Sequence, residues 1–130
     1  MPGDWYASLA KPAWTPPSWV FGPAWTVLYF MIAVAGWRLW RRREARPLES
    51  RRALAMFAMQ LALNFLWTPV FFGMQRPGLA LVVIILLWAA IAATIVAAWK
   101  ACRTAAALLI PYLAWVTFAT ALNMAIWRLN

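Results

Sequence analysis

Residues 77–99, PGLALVVIILLWAAIAATIVAAW, run for 23 positions without a charged side chain. A helix rises about 1.5 Å per residue and the hydrocarbon core of a bilayer is about 30 Å thick, so this stretch is long enough to cross. Three further uncharged runs accompany it, 12–37, 53–75 and 104–127, of 26, 23 and 24 residues. With 66% hydrophobic and 16% aromatic residues among 130, the chain has too little polar cover for a soluble domain. The pattern predicts an all-α membrane protein of one domain over 1–130, with four transmembrane helices at about 20–40, 51–72, 77–99 and 104–129. The first run starts late and holds several prolines, unlike a cleaved signal peptide, so all four spans are expected in the mature protein.

The net charge of +9 has a topological meaning. Arg38, Arg41, Arg42, Arg43, Arg46, Arg51 and Arg52 bracket the first connection, and Lys100 and Arg103 bracket the third. Only Lys11, Arg76 and Arg128 lie on the opposite side. The positive-inside rule then places the arginine-rich loop in the cytoplasm and both termini outside, which suits a bacterial inner membrane best. Nucleic acid is not an expected partner. Membrane lipid is, because a polybasic juxtamembrane loop attracts anionic headgroups.

Residues 1–19 interleave Pro2, Pro12, Pro16 and Pro17 with Trp5, Tyr6, Trp14 and Trp19. Prolines this dense forbid a continuous helix, and the rings are too apolar for a free tail, so the segment reads as an irregular lid over the helix ends. An interfacial aromatic belt accounts equally well for Trp5 and Tyr6. Past the lid, Pro23 and Pro77 suit first turns, whereas Pro69 is expected to kink the second helix or end its regular part.

Polar side chains within the spans are the clue to a cavity, since an unpaired hydrogen-bonding group in hydrocarbon is costly. Gln60 and Asn64 stand four apart on one helix face, with Trp67 three beyond Asn64. Asn123, preceded by Thr117 and Thr120, sits near the end of the fourth helix. Such amides either line a site or tie helices together. The chain has no histidine, and its carboxylates, Asp4, Glu44 and Glu49, fall outside the predicted spans. No embedded titratable group is therefore available for proton coupling, and the usual general base and zinc ligands are missing. No enzyme activity, cofactor or metal site is expected; catalysis would have to come from Trp, Tyr, a bound ligand or light. Cys102 reads as a free thiol near a helix end. Ala55, Ala58 and Ala62 form a small-residue stripe that suits either a homodimer or an internal helix contact.

The run Trp5-Tyr6-Ala7-Ser8-Leu9-Ala10-Lys11-Pro12-Ala13-Trp14-Thr15-Pro16-Pro17-Ser18-Trp19, continued by Phe21-Gly22-Pro23-Ala24-Trp25 and Leu28-Tyr29, resembles the TspO family. This family comprises the tryptophan-rich sensory proteins of bacteria and the mitochondrial translocator protein, once called the peripheral benzodiazepine receptor. Gln60 to Asn64 with Trp67, Pro69 to Gly73, and Pro111-Tyr112-Leu113-Ala114-Trp115 through Asn123 to Trp127-Arg128 agree with the same resemblance. It implies a helical bundle with a pocket beneath the proline-tryptophan loop, binding porphyrins, cholesterol or benzodiazepine-type compounds for sensing or transport. By that resemblance Trp14, Phe21, Gly22, Ala24, Trp25, Asn64, Trp67, Ala119, Leu122 and Asn123 line or close the pocket.

The resemblance also offers an alternative, light- or oxygen-dependent porphyrin breakdown by two tryptophans. Trp25 matches one, and Met124 stands where the second belongs, so this activity is not carried over. The sterol-recognition pattern of animal members needs a Tyr between Leu122 and Arg128, and none is there. Family members normally have five spans, one of them ahead of the loop at which this chain starts. Four helices are expected to leave one pocket wall open to lipid or a partner.

Overall fold

A computed structural model describes residues 8–15 and 18–130. Four long helices account for most of them: α1 (Ser18–Arg41), α2 (Pro47–Thr68), α3 (Pro77–Ala101) and α4 (Arg103–Leu129). Each is long and apolar enough to cross a membrane, and the chain is a multi-pass integral membrane protein. Connections are short: residues 42–46 join α1 to α2, a π-helical turn at Pro69–Gly73 leads toward α3, and Cys102 alone separates α3 from α4. Connections this short force consecutive helices to run antiparallel. The lid end therefore gathers the start of α1, the π-turn and the end of α4, while residues 42–46 and Cys102 share the arginine end.

The helix bounds differ from the sequence expectation in ways the prolines explain. α2 begins at Pro47 rather than about 51, because Pro at a first helical position gives up an N–H that has no partner there anyway. Glu49 consequently lies inside the helix, not outside a span, in a first turn where its negative charge complements the helix dipole. α1 begins at Ser18, so Pro23 stands one turn in; the N–H it lacks would have served only a carbonyl of the first turn. At the far end of α2 the α-helical pattern stops at Thr68. Pro69 opens the π-turn, whose wide ring is closed by Met74 N–H donating to the Pro69 carbonyl at 2.8 Å. Gln75 then takes a positive φ of 54°, the left-handed conformation that turns the chain into α3.

Packing is uneven around the bundle. α2 packs extensively on α3, α3 on α4 and α4 on α1, whereas α1 and α2 touch much less. Lipid is as apolar as a side chain, so close backbone approach rather than water exclusion holds such contacts, and small residues permit it. Ala80, Ala98 and Ala101 of α3, Ala105 and Ala106 of α4 and Ala53 of α2 are all buried. Ala55, Ala58 and Ala62 of α2 are instead exposed.

Of the expected lid, Pro2, Trp5, Tyr6, Pro16 and Pro17 lie outside the described residues. The described part is pinned to the end of α4: Ala10 N–H donates to Asn130 Oδ1 at 3.2 Å, and Asn130 Nδ2 donates back to the Ala10 carbonyl at 2.9 Å. Pro12 and Thr15 close a turn between them through both the backbone N–H and the hydroxyl of Thr15, which donate to the Pro12 carbonyl. That turn carries Trp14 to the Phe118 ring, edge-on, with centroids 5.6 Å apart.

Candidate functional site

Two aromatic layers lie under the lid, and each is organised by an asparagine. In the deeper layer Asn64 joins three helices. Tyr29 of α1 donates its hydroxyl to Asn64 Oδ1 at 2.6 Å, and Asn64 Nδ2 donates to the Tyr112 hydroxyl of α4 at 2.7 Å. Tyr112 passes the chain on to Gln60 Oε1, one turn back on α2, at 2.8 Å. Asn64, Tyr112 and Gln60 are buried, while Tyr29 is 37% exposed, so one end of this relay reaches the surface. Polar groups in a bilayer must find partners within the protein, and the i to i+4 spacing of Gln60 and Asn64 lets one tyrosine engage both.

Trp25 is the centre of this layer's apolar wall. Its ring lies 5.5 Å from Tyr29, and it meets Tyr112 and Trp115 edge-on at 6.5 and 6.3 Å. Among the described residues two buried donors here have no acceptor: Gln60 Nε2 and Trp115 Nε1. A buried donor left unmade costs about 1–3 kcal/mol, so each is a position where an incoming acceptor gains more than at a satisfied group. Trp115 also lines an apolar groove of about 720 Å³ between α1 and α4, bounded by Ala24, Val27, Pro111 and Phe118.

The layer nearer the lid is built on Asn123. Trp67 Nε1 donates to Asn123 Oδ1 at 3.0 Å, and Asn123 Nδ2 donates to the Pro77 carbonyl at 2.9 Å, tying α2, α4 and the start of α3. The π-turn brings Phe71 under Trp67, stacked at 5.3 Å with 28° between planes. Phe21, Leu122, Val70 and Ile126 complete this cluster. Gly22 faces open space: a Cβ built there meets nothing within 4 Å.

The predicted residues thus divide. Trp25 and Asn64 belong to the deep layer, Trp67, Phe21, Leu122 and Asn123 to the upper one, and Ala24 to the groove. Ala119 is buried in the main core, Trp14 rests half-exposed on Phe118, and Gly22 is exposed. Both asparagines spend their amides on tying helices, and they do so among the aromatic rings. Tyr29, Tyr112 and Trp115 were not selected as site residues. A phenol in mid-helix needs a partner when buried, and that requirement was the available signal for the tyrosines. Among the described residues no group of three or more His, Cys, Asp or Glu could hold a metal ion.

Compared with known proteins, residues 1–128 match the TspO/MBR family. A tryptophan-rich sensory protein of Cereibacter sphaeroides is 48% identical over 129 residues, 99% of this chain and 78% of the relative. The translocator protein of Homo sapiens is 44% identical over 126 residues, 97% of this chain and 75% of the relative. The tryptophan-rich protein TspO of Archaeoglobus fulgidus is 48% identical over 126 residues, covering 97% and 80%.

Proposed function

This chain belongs to the TspO/MBR family, and from that premise we propose that it binds a flat, apolar ligand of the tetrapyrrole class between α1 and α4, for sensing or transport rather than catalysis. The observation that carries this reading is the buried Trp115 Nε1, which belongs to a groove-lining ring beside Trp25 and has no acceptor among the described residues; Gln60 Nε2, likewise unpartnered there, lies behind Tyr112. A porphyrin matches the groove twice over. Its ring edge and face suit indole and phenol walls, and its propionate or carbonyl oxygens supply acceptors. Trp25 and Trp115 form the walls, Ala24 and Gly22 leave room, and Asn64 and Asn123 hold the helices that shape the space. One face of Trp67 already stacks on Phe71, so Trp67 supports the upper wall. Sterol and benzodiazepine-type ligands, having fewer acceptors, use the same groove with lower selectivity. The names of the relatives, sensory and translocator proteins, agree with a binding role.

The nine-to-three split of basic residues supports a cytoplasmic arginine end, with the lid outside a bacterial inner membrane. The outward Ala55, Ala58 and Ala62 face of α2 supports a homodimer contact.

The test is a titration of detergent-purified protein with protoporphyrin IX, followed through quenching of tryptophan fluorescence. Changing Trp25 and Asn64 together to Ala is expected to weaken saturable binding at least about tenfold. Trp115→Phe keeps the ring and removes the donor, and a loss of about fivefold or more is expected from it alone. Unchanged affinity in Trp115→Phe, or only linear quenching by the unaltered protein, sinks the assignment.

A further inference from the structure

The arginine end holds a second cavity, of about 530 Å³, whose chemistry is the reverse of the groove's. Arg42 and Arg46 from the first connection, Lys100 from the end of α3 and Arg103 from the start of α4 line it, opposed by one carboxylate, Glu49. Four cations against one anion leave it a net +3. A smaller chamber of about 220 Å³, lined by Arg38, Arg41 and Arg42, adjoins it across Cys102, which lines both. Among the described residues the side chains of Arg42, Arg46 and Lys100 make no hydrogen bond or ion pair with the protein. Like charges drawn from three chain segments into one concavity repel each other, and the concavity focuses their field on any anion that enters.

The surroundings say where that anion comes from. Trp37, Trp40 and Trp99 ring this end and are 54, 55 and 50% exposed, and indoles of this kind settle at headgroup depth. Arg41 lies over Trp37 at 5.0 Å and Arg103 over Trp99 at 5.5 Å, so the basic groups and the belt share one level. Val96, 67% exposed and one turn from Lys100, begins an apolar rail along α3 for an acyl chain.

We propose that this cavity seats the phosphate of an anionic lipid headgroup, held by Arg42, Arg46, Lys100 and Arg103. Inter-helix basic pockets at the cytoplasmic side of membrane proteins have this chemistry. Glu49 disfavours a second negative charge deep in the cavity. A phosphodiester of single charge, such as phosphatidylglycerol, is therefore the expected occupant.

Native mass spectrometry of the full chain, released from micelles holding equal phosphatidylglycerol and phosphatidylcholine, reads the site directly. The unaltered protein is expected to retain phosphatidylglycerol at least about fivefold over phosphatidylcholine. Arg42→Gln with Arg103→Gln should lower that preference about fivefold, to none. Arg51→Gln with Arg52→Gln removes the same charge outside the cavity and should leave it intact. Arg42→Lys with Arg103→Lys keeps the charge and should retain most of it, which guards against a folding artefact. Equal losses in both glutamine pairs would mean diffuse attraction and overturn the site. Displacement of the lipid by millimolar inorganic phosphate would overturn the lipid assignment in favour of a soluble anion.

Discussion

The two ends of the bundle solve opposite problems. At the lid end the polar side chains are tied into networks: Tyr29, Asn64, Tyr112 and Gln60 form one relay, Trp67, Asn123 and the Pro77 carbonyl another, and Asn130 clasps the lid, with Gln60 Nε2 and Trp115 Nε1 the donors left over among the described residues. At the arginine end the side chains of Arg42, Arg46 and Lys100 make no hydrogen bond or ion pair among the described residues. The reason is solvent. A hydroxyl or amide inside hydrocarbon has only the protein to bond with, whereas a guanidinium at the interface has water and headgroups. The lid end is therefore where substitutions change stability, and the arginine end is where they change association.

The largest expected effect follows from Tyr112, fully buried and bonded to two side chains of α2. Tyr112→Ala leaves a ring-sized cavity and two stranded amides, and is expected to cost about 3–5 kcal/mol in thermal or denaturant unfolding in detergent. A loss under about 1 kcal/mol would mean that the relay does not hold the helices.

Next comes Asn123→Leu, which severs Trp67 and the Pro77 carbonyl from α4; a loss of about 1–2 kcal/mol is expected in the same assay. At the other end, Arg42→Gln with Arg103→Gln should move stability by no more than about 0.5 kcal/mol, since these groups are solvated. A drop comparable to that of Asn123→Leu would erase the contrast between the ends.

The smallest effect concerns Cys102, the chain's one thiol, at the arginine end. Burial raises its pKa, but the N–H groups of Ala105 and Thr104, the Arg38 guanidinium beside it and the charge of Arg42 outweigh burial, and the net shift is downward. Its alkylation rate should accordingly reach half-maximum at a lower pH than that of an unperturbed thiol. Arg38→Gln should move that midpoint back up. A midpoint at or above the ordinary value would mean that the basic cluster exerts no field on the thiol.

What sequence could and could not disclose follows the same division. Charge-free length marked the four helices, and the spacing of Gln60, Asn64 and Trp67 marked one face of α2 correctly. Spacing within a helix says nothing of what faces it, so although a mid-helix phenol signals the need for a partner, that Tyr29 of α1 and Tyr112 of α4 both meet Asn64 could not be read from sequence. The orphan donor of Trp115 was hidden for the same reason: whether an indole N–H is satisfied depends on groups from other helices. The alanine stripe left two readings open, and period alone could not separate them: Ala55, Ala58 and Ala62 are exposed, while the buried alanines are Ala53 and those of α3 and α4. Prolines set the bounds, yet a π-turn after Pro69 could not be told from a simple kink, because both begin with the same missing N–H.

α4 alone touches every chemistry described here. Its first turn borders the basic cavity, its middle supplies Tyr112 and Trp115, and its last residues bind the lid. Its 27 residues make a rod about 40 Å long, with Pro111 about a third of the way from the arginine end. Mechanically this is a lever with its fulcrum off-centre. A tilt of about 5° at Pro111 moves the lid end by roughly 2 Å and the arginine end by roughly 1 Å. On the two proposals made above, a molecule wedged against Trp115 near the middle of this rod would act on a lipid seated at its arginine end, with no ion or substrate having to cross.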